Sequence, residues 1–310
     1  MTKEIVVSII IPCYNEEGSI TALYEELVKF LNGSYEIIFI DDGSSDNTLN
    51  TLISLAKKND SVKYISFSRN FGHQNAIKAG IDRATGDCII SLDADLQHPP
   101  SLIPEMLNLW SQGYEIVNTI RNDGKNIGFF KKLTSKLFYA IINKLSDVEI
   151  KPGSADFRLI DRRVADEFKK LKENHLFFRG LIPWIGFHQI DISYVPNERF
   201  AGKTKYSLKK MIKFAATGIT SFSTKPLKIA IVIGFIISLF ALLYAAYALI
   251  IFFFTDRALS GWTSLIISIL FIGGLQISLI GIIGEYLGKL FMEHKQRPLY
   301  IVRKTNITSL

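Results

Sequence analysis

Asp93-Ala94-Asp95-Leu96-Gln97 follows the apolar run Ile89-Ile90-Ser91-Leu92. Two carboxylates two positions apart at a strand end can converge on one hard cation as the chain leaves the sheet. Mg²⁺ or Mn²⁺ in such a site takes one or two carboxylates, waters and substrate phosphate oxygens, and Gln97 offers a neutral oxygen beside them. The alternative is a pair of solvated turn aspartates; the strand-end position favours metal. Ile38-Phe39-Ile40-Asp41-Asp42-Gly43-Ser44 has the same form. Asp41 belongs to the strand, and Asp42 faces a crevice where it can accept hydrogen bonds from a base edge or ribose hydroxyls. An Asx turn capping the next helix is the competing reading. Arg121 follows a fifth strand, where a cation can neutralise a diphosphate; a surface arginine fits that position nearly as well. Asp156 is a lone acid in a small-residue loop, Gly153-Ser154-Ala155-Asp156, and by itself means little. His73, His98, His175, His188 and His294 share no ligand spacing and read as structural or solvent-facing. G-x-G-x-x-G and G-x-x-x-x-G-K-[ST] are missing, which disfavours a dinucleotide dehydrogenase or a P-loop NTPase.

These groups need a scaffold that brings strand ends together. Val6–Ile11, Glu36–Ile40, Val62–Phe67, Cys88–Leu92 and Glu115–Thr119 read as buried strands. Glu17–Leu31, Asn47–Asn59, Gln74–Ala84 and Ser101–Gln112 have helical spacing, with Asp46 or Ser45 and Ser101 as N-caps. Such alternation predicts an α/β fold with a doubly wound, mostly parallel sheet. Its ligands sit at the carboxyl ends of strands, where the polar clusters after three of these runs fall.

The 310 residues carry 36 Lys+Arg against 29 Asp+Glu, a net charge of +7. The mean hydropathy of +0.22 is concentrated near the C-terminus. Residues 229–255 and 258–284 have no charge, and each stretch exceeds the roughly 20 residues that cross a bilayer. Spans at about 229–255 and 260–284 are expected, so a wholly soluble protein is nearly ruled out. Arg199 to Lys228 holds eight basic residues and no acid, which suits anionic headgroups better than nucleic acid. Amphipathic helices are expected at about 128–145, as an interfacial or a surface helix, and at 205–222 as an interfacial one. The bias of cations puts both termini in the cytoplasm and the short connector outside. Gly273, Gly274, Gly281, Gly284 and Gly288 permit close helix packing in a homo-oligomer. Cys13 and Cys88 read as buried reduced thiols, and the N-terminus lacks the pattern of a signal peptide.

Several segments in order resemble family 2, GT-A-fold glycosyltransferases: Ile11-Pro12-Cys13-Tyr14-Asn15-Glu16-Glu17, Asp41–Asp46 and Asp93–Pro100. Ser68-Arg69-Asn70-Phe71-Gly72-His73-Gln74, Asp156-Phe157-Arg158-Leu159, Arg199–Tyr206, Gly284–Gly288 and Arg297–Tyr300 narrow the likeness to polyprenyl-phosphate glycosyltransferases. That group comprises dolichol-phosphate mannose synthases and bactoprenol-phosphate glucosyltransferases; the two C-terminal spans match the latter. The Q-x-x-R-W signature of processive polysaccharide synthases is missing, and Thr204 stands where Ser is expected.

The resemblance implies a GT-A domain over 1–200, a basic juxtamembrane helix over 201–227, and two transmembrane helices with a short cytosolic tail over 228–310. It implies inverting transfer of a hexose, glucose first, from a UDP-sugar to undecaprenyl phosphate at the cytosolic face of a bacterial inner membrane. Pro12, Tyr14, Glu16 and Asp42 would hold the nucleoside of the donor. Asp93, Asp95 and Gln97 would hold a divalent cation, Mg²⁺ or Mn²⁺, and the diphosphate. Arg121, Arg199 and Lys205, with Thr204 and Tyr206, would meet donor diphosphate or lipid phosphate, and Asp156 and Asp95 would be catalytic. The alternatives are a mannose synthase using GDP-mannose, a transferase with another acceptor, and a nucleotide-sensing subunit of a transporter.

Overall fold

Val6–Cys13 is apolar at nearly every position because both of its faces are covered. Val7, Ile9 and Ile11 join one cluster with Leu23, Leu27, Leu52, Ile103 and Met106. Ile10 joins another with Ile38, Ile77, Ile81, Val164 and Phe168. The computed structural model describes residues 6–122, 140, 142–173, 176–197, 218–254 and 261–308. Its strands are β1 (Val6–Cys13), β2 (Ser34–Asp41), β3 (Val62–Phe67), β4 (Cys88–Ser91), β5 (Ile116–Arg121), β6 (Ser154–Asp161), β7 (Gln189–Tyr194) and β8 (Val302–Thr305). They form one sheet in the order β7-β5-β6-β4-β1-β2-β3-β8. Among the described strands only β6 and β8 run against the rest.

The helices α1 (Ile20–Val28), α2 (Thr48–Lys58) and α4 (Ile103–Ser111) pack on the first face. The other face carries α3 (His73–Arg83), α5 (Arg162–Lys170) and α6 (Phe178–Ile185). A sheet buried on both faces explains the continuous apolar runs of its strands. The expected Glu17 helix start moves to Ile20 because Glu16 and Glu17 brace the neighbouring loop. Glu16 N donates to Thr48 Oγ1 at 2.9 Å, and Asn47 N donates to Glu17 Oε2 at 2.8 Å. Ser101 is not an N-cap: it lies within a 3₁₀ turn, Pro100–Leu102, and α4 starts after it. Asp46 stands one position before the Asn47 cap and accepts from Thr48 N at 3.0 Å.

Two further helices, α7 (Lys225–Phe254) and α8 (Trp262–His294), expose their apolar side chains. Both are long and apolar enough to cross a membrane, over Lys225–Tyr244 and Phe271–His294. At about 1.5 Å per residue, the 30 residues of α7 reach about 45 Å, beyond a hydrocarbon core of about 30 Å. Its start is tied to the sheet domain, since Lys225 Nζ donates to Ser146 O at 2.7 Å and pairs with Asp147 at 3.0 Å.

The expected short tail after the second span is an eighth strand. β8 pairs antiparallel with β3, and Tyr64 N donates to Asn306 Oδ1 at 2.8 Å. Tyr300 stacks on Phe67 with ring centroids 5.0 Å apart and donates its hydroxyl to Asp82 Oδ2 at 2.9 Å. The chain leaves the sheet domain before α7 and rejoins the same sheet after α8, so both outer ends of the helix pair are tied to that domain. The expected helix at 128–145, apart from residues 140 and 142–145, lies outside the described residues. So does the basic helix, apart from 218–222, and so do Arg199, Thr204, Lys205 and Tyr206.

Candidate active site

Connections leave β1 toward β2 on one side, and β4 returns on the other. Ligands of doubly wound sheets bind at such a switch point. A crevice of 240 Å³ opens there, lined by Pro12, Tyr14, Glu16, Asp42, Asp93 and Asp95 together with Cys13, His73 and Ala94. The loops forming it are tightly drawn. Asn15 and Leu96 adopt left-handed backbone, φ 55° and 61°, a conformation that costs a branched, non-polar residue such as leucine on the order of 1–3 kcal/mol. Asn15 N donates to Ser44 Oγ at 3.0 Å, and Asn15 Oδ1 accepts from Ser45 N at 2.9 Å. Gly43 has φ +68°, and a Cβ on it would stand 2.4 Å from the carbonyl carbon of Arg69. Only glycine lets the loop after β2 press on the loop after β3.

That approach gives Asp42 a structural duty. Its Oδ1 accepts from Phe71 N at 2.6 Å, and its Oδ2 accepts from Gly72 N at 3.0 Å. Burial nevertheless raises its pKa above the ordinary carboxylate value. A nucleoside at Asp42 would share the carboxylate with those amides. Cys13, beside it, is a buried free thiol whose pKa burial and the nearby Glu16 push up.

Around Asp93 the charges form a connected chain. His73 Nε2 lies 2.8 Å from Asp93 Oδ1, and His98 Nε2 lies 3.7 Å from Oδ2. Asp93 N donates to His98 Nδ1 at 3.0 Å, so that ring presents its Nε2 proton to the carboxylate. Burial alone would raise the Asp93 pKa, but His98, His73 and Arg179 together hold it far below the usual carboxylate range. For His73, burial alone would lower the pKa; the charge and hydrogen bond of Asp93, helped by Asp156, raise it to about 9. His73 Nδ1 stands 4.0 Å from Asp156 Oδ2.

Asp156 lies in β6, not in a loop as its small neighbours suggest, and is buried. Arg158 Nη2 reaches its Oδ1 and Arg179 Nη2 its Oδ2, each at 3.2 Å. Burial would raise its pKa, but Arg179, Arg158 and His73 outweigh that and keep it low. Desolvation in turn lowers Arg158 to about 10. Gln97 and Arg121 meet each other outside the crevice lining, through a long 3.4 Å contact between Gln97 Oε1 and Arg121 Nη1. Gln97 is thereby engaged by a cation at its side chain, and its backbone N donates to Asp95 Oδ1 at 3.2 Å.

Among the described residues, no three His, Cys, Asp or Glu side chains converge as a ready metal cage. Two adjacent carboxylates at a crevice suit a hard cation completed by water and substrate phosphate oxygens, the usual arrangement for Mg²⁺ or Mn²⁺.

A sequence model of glycosyl transferase family 2 matches residues 8–168, which carry β1 through β6 and every acid of this crevice. The chain is a family 2 glycosyltransferase. Its mostly parallel sheet with helices on both faces is that of the GT-A fold. It is 46% identical to the uncharacterized glycosyltransferase YkcC of Bacillus subtilis, over 98% of this chain and 95% of that one. It is 42% identical to the uncharacterized glycosyltransferase sll0501 of Synechocystis, over 97% and 95%. It is 40% identical to the prophage bactoprenol glucosyl transferase homolog of Escherichia coli, over 96% and 98%.

In the glycosyltransferase, His73 and His98 stand at Asp93, and Arg158 and Arg179 at Asp156; ligand spacing did not reveal them. His73 had a usable signal: it stands just after a strand, at the same end of the sheet as the acids. Arg179 had none, because it comes from a helix over 100 positions away from His73 and meets the site only through folding.

Proposed function

We propose that this glycosyltransferase moves glucose from UDP-glucose to a polyprenyl phosphate, undecaprenyl phosphate in a bacterial membrane, with inversion at the anomeric carbon. The observation that carries the reading is a crevice lined by Asp93 and Asp95, with His73 bridging Asp93 to Asp156, on a chain whose two apolar helices begin and end at that same sheet domain. The name of the Escherichia coli relative supports glucose and a bactoprenol acceptor, ahead of GDP-mannose or a nucleotide-sensing subunit.

Pro12, Tyr14, Glu16 and Asp42 then hold the nucleoside. Asp93 and Asp95 hold Mg²⁺ or Mn²⁺, which when bound neutralises the leaving diphosphate. Arg121, which meets Gln97 at 3.4 Å, would add positive charge toward that group. An oxygen of the acceptor phosphate attacks C1, the bond from C1 to the diphosphate breaks, and UDP leaves. A phosphate monoester has a second pKa of about 6, so at neutral pH it is already mostly the nucleophilic dianion. Asp156 is held ionised by two guanidinium groups and is a weak base. Its role is to orient the acceptor or sugar and to balance positive charge developing at C1.

The acceptor cannot leave the headgroup plane, so the GT-A domain works at the inner membrane surface, seated by its basic segments, with α7 and α8 as the spans. A GT-A domain over 1–200 and a basic juxtamembrane segment over 201–227 are kept in this proposal, while α7 begins earlier than expected, at Lys225, α8 runs on past 284 to His294, and β8 belongs to the same sheet as the GT-A strands. The test is a donor panel of UDP- and GDP-sugars with undecaprenyl phosphate, followed by proton NMR of the product anomer. A β-linked glucosyl phosphate formed from UDP-glucose supports the reading; retention of configuration, or preference for GDP-mannose, overturns it.

A further inference from the structure

Arg297–Tyr300, after the second apolar helix, and Ser68–Gln74, after β3, meet in the fold. Tyr300 stacks on Phe67 with the ring planes 16° apart, and its hydroxyl donates to Asp82 Oδ2 at 2.9 Å. Asp82 also pairs with the buried Lys78, so α3 fixes the outer edge of the Tyr300 ring. Phe67 in turn meets the Phe71 ring edge-on, with centroids 5.7 Å apart. The Arg69 guanidinium covers the Phe71 ring at 4.0 Å. Beside Tyr300, Ile301 O accepts from Ser68 N at 3.0 Å.

These contacts end at the crevice. Phe71 N donates to Asp42 Oδ1 at 2.6 Å, Gly72 N donates to its Oδ2 at 3.0 Å, and His73, the next residue, holds Asp93 at 2.8 Å. A second thread leaves the same strand pair. Ser66, opposite Lys304 of β8, donates to Asp41 Oδ2 at 2.7 Å, and Asp41 Oδ1 accepts from Ser44 N at 2.9 Å. All four positions of β8 itself are half-buried or exposed, so the strand adds little to the core. Its ring anchor instead braces a loop. We propose that Tyr300 is a positioning residue for the nucleotide donor: through Phe67 and Phe71 it sets the two amides that aim Asp42. It stands six residues after the end of α8, which ties the support of the donor crevice to the second apolar helix. The proposal rests on the functional reading above, in which Asp42 meets the nucleoside. Without the Tyr300 ring, Phe67 and Phe71 relax into the space it vacates, the amides withdraw from Asp42, and the carboxylate loses its alignment. Losing the hydroxyl alone leaves the stack, and with it the alignment, in place.

The experiment uses the full-length protein in detergent. Tyr300→Leu removes the ring; Tyr300→Phe keeps it and loses only the bond to Asp82. Leu27→Ala, in the core at the end of α1 remote from the crevice, is the control for lost stability. Titration calorimetry with UDP and Mn²⁺ should give Tyr300→Leu a Kd about tenfold above wild type, the order of one hydrogen bond to a charged group, and leave the other two variants within about twofold. KM for UDP-glucose should rise in parallel with that Kd, while KM for undecaprenyl phosphate does not follow it. Hydrogen exchange of peptides covering residues 68–75 should quicken in Tyr300→Leu and be restored in Tyr300→Phe. Unchanged exchange there, or a UDP Kd in Tyr300→Leu equal to wild type, overturns the proposal. An equal rise in Kd in Leu27→Ala also overturns it, since the effect would then be one of stability, and so does a rise in acceptor KM as large as that for the donor. In each of those results wild-type protein still binds UDP; wild-type protein that binds no UDP defeats the functional reading as well.

Discussion

Asp156→Ala tests whether the ion pairs at the centre of the site hold the protein together as well as serving its chemistry. The substitution strands Arg158, whose side chain is only 6% exposed, and leaves Arg179 without its 3.2 Å partner. Removing one member of a buried pair costs about 3–5 kcal/mol, because the other charge stays buried without compensation. At about 2–4 °C per kcal/mol for a chain of this order of size, Tm should fall by about 10 °C. Arg158→Met alone should cost less, since Asp156 keeps Arg179 and His73. In the double variant no charge is left stranded at position 158, so its loss should be smaller than the sum by about 2 kcal/mol, within the range for residues in contact. Thermal unfolding followed by intrinsic fluorescence in detergent measures all four proteins. Turnover separates the two roles: the double variant recovers stability and not activity. Additive losses, or an Asp156→Ala protein as stable as wild type, would refute the reasoning.

Two further predictions concern the scaffold. Glu36 is buried and accepts from Ser8 Oγ at 2.5 Å, Thr85 N at 2.6 Å and Lys63 Nζ at 2.5 Å. Burial alone would raise its pKa, but Lys63, Ser8 and Thr85 lower it below the ordinary 4.5. Its contribution is therefore complete above about pH 4.5 and is lost as pH falls through the lower folded value. Glu36→Gln should lower Tm at pH 7 and flatten its decline on the acid side, as thermal melts between pH 7 and 3.5 will show. Tyr300→Phe removes the hydrogen bond to Asp82 and should cost about 1–2 kcal/mol. Tyr300→Ala also loses the stack on Phe67 and should cost about 3 kcal/mol or more, with faster hydrogen exchange along β3 and β8.

The strands that build the crevice were legible because a sheet covered on both faces demands long apolar runs, and Val6–Cys13 and Ser34–Asp41 supply them. The acids Asp42, Asp93 and Asp95 were legible because they follow such runs directly. Asp156 was misplaced into a loop, since Gly153-Ser154-Ala155 reads as a turn while β6 is held as a strand by β4 and β5 on either side. β8 went unseen because a four-residue edge strand has no periodicity of its own and is recruited by the exposed edge of β3. His73 and Arg179 belong to the site through contacts from distant elements, which local spacing does not encode.

The account stands or falls on the destination of the sugar. Full-length protein incubated with UDP-[¹⁴C]glucose, Mn²⁺ and undecaprenyl phosphate, then extracted with organic solvent, measures it directly. The account predicts label in the organic phase that requires the lipid and the cation. That label should fall by at least about a hundredfold in Asp95→Asn, the order of one lost electrostatic contact in a transition state. Label that stays in the aqueous phase as free glucose, or transfer undiminished in Asp95→Asn, would contradict it.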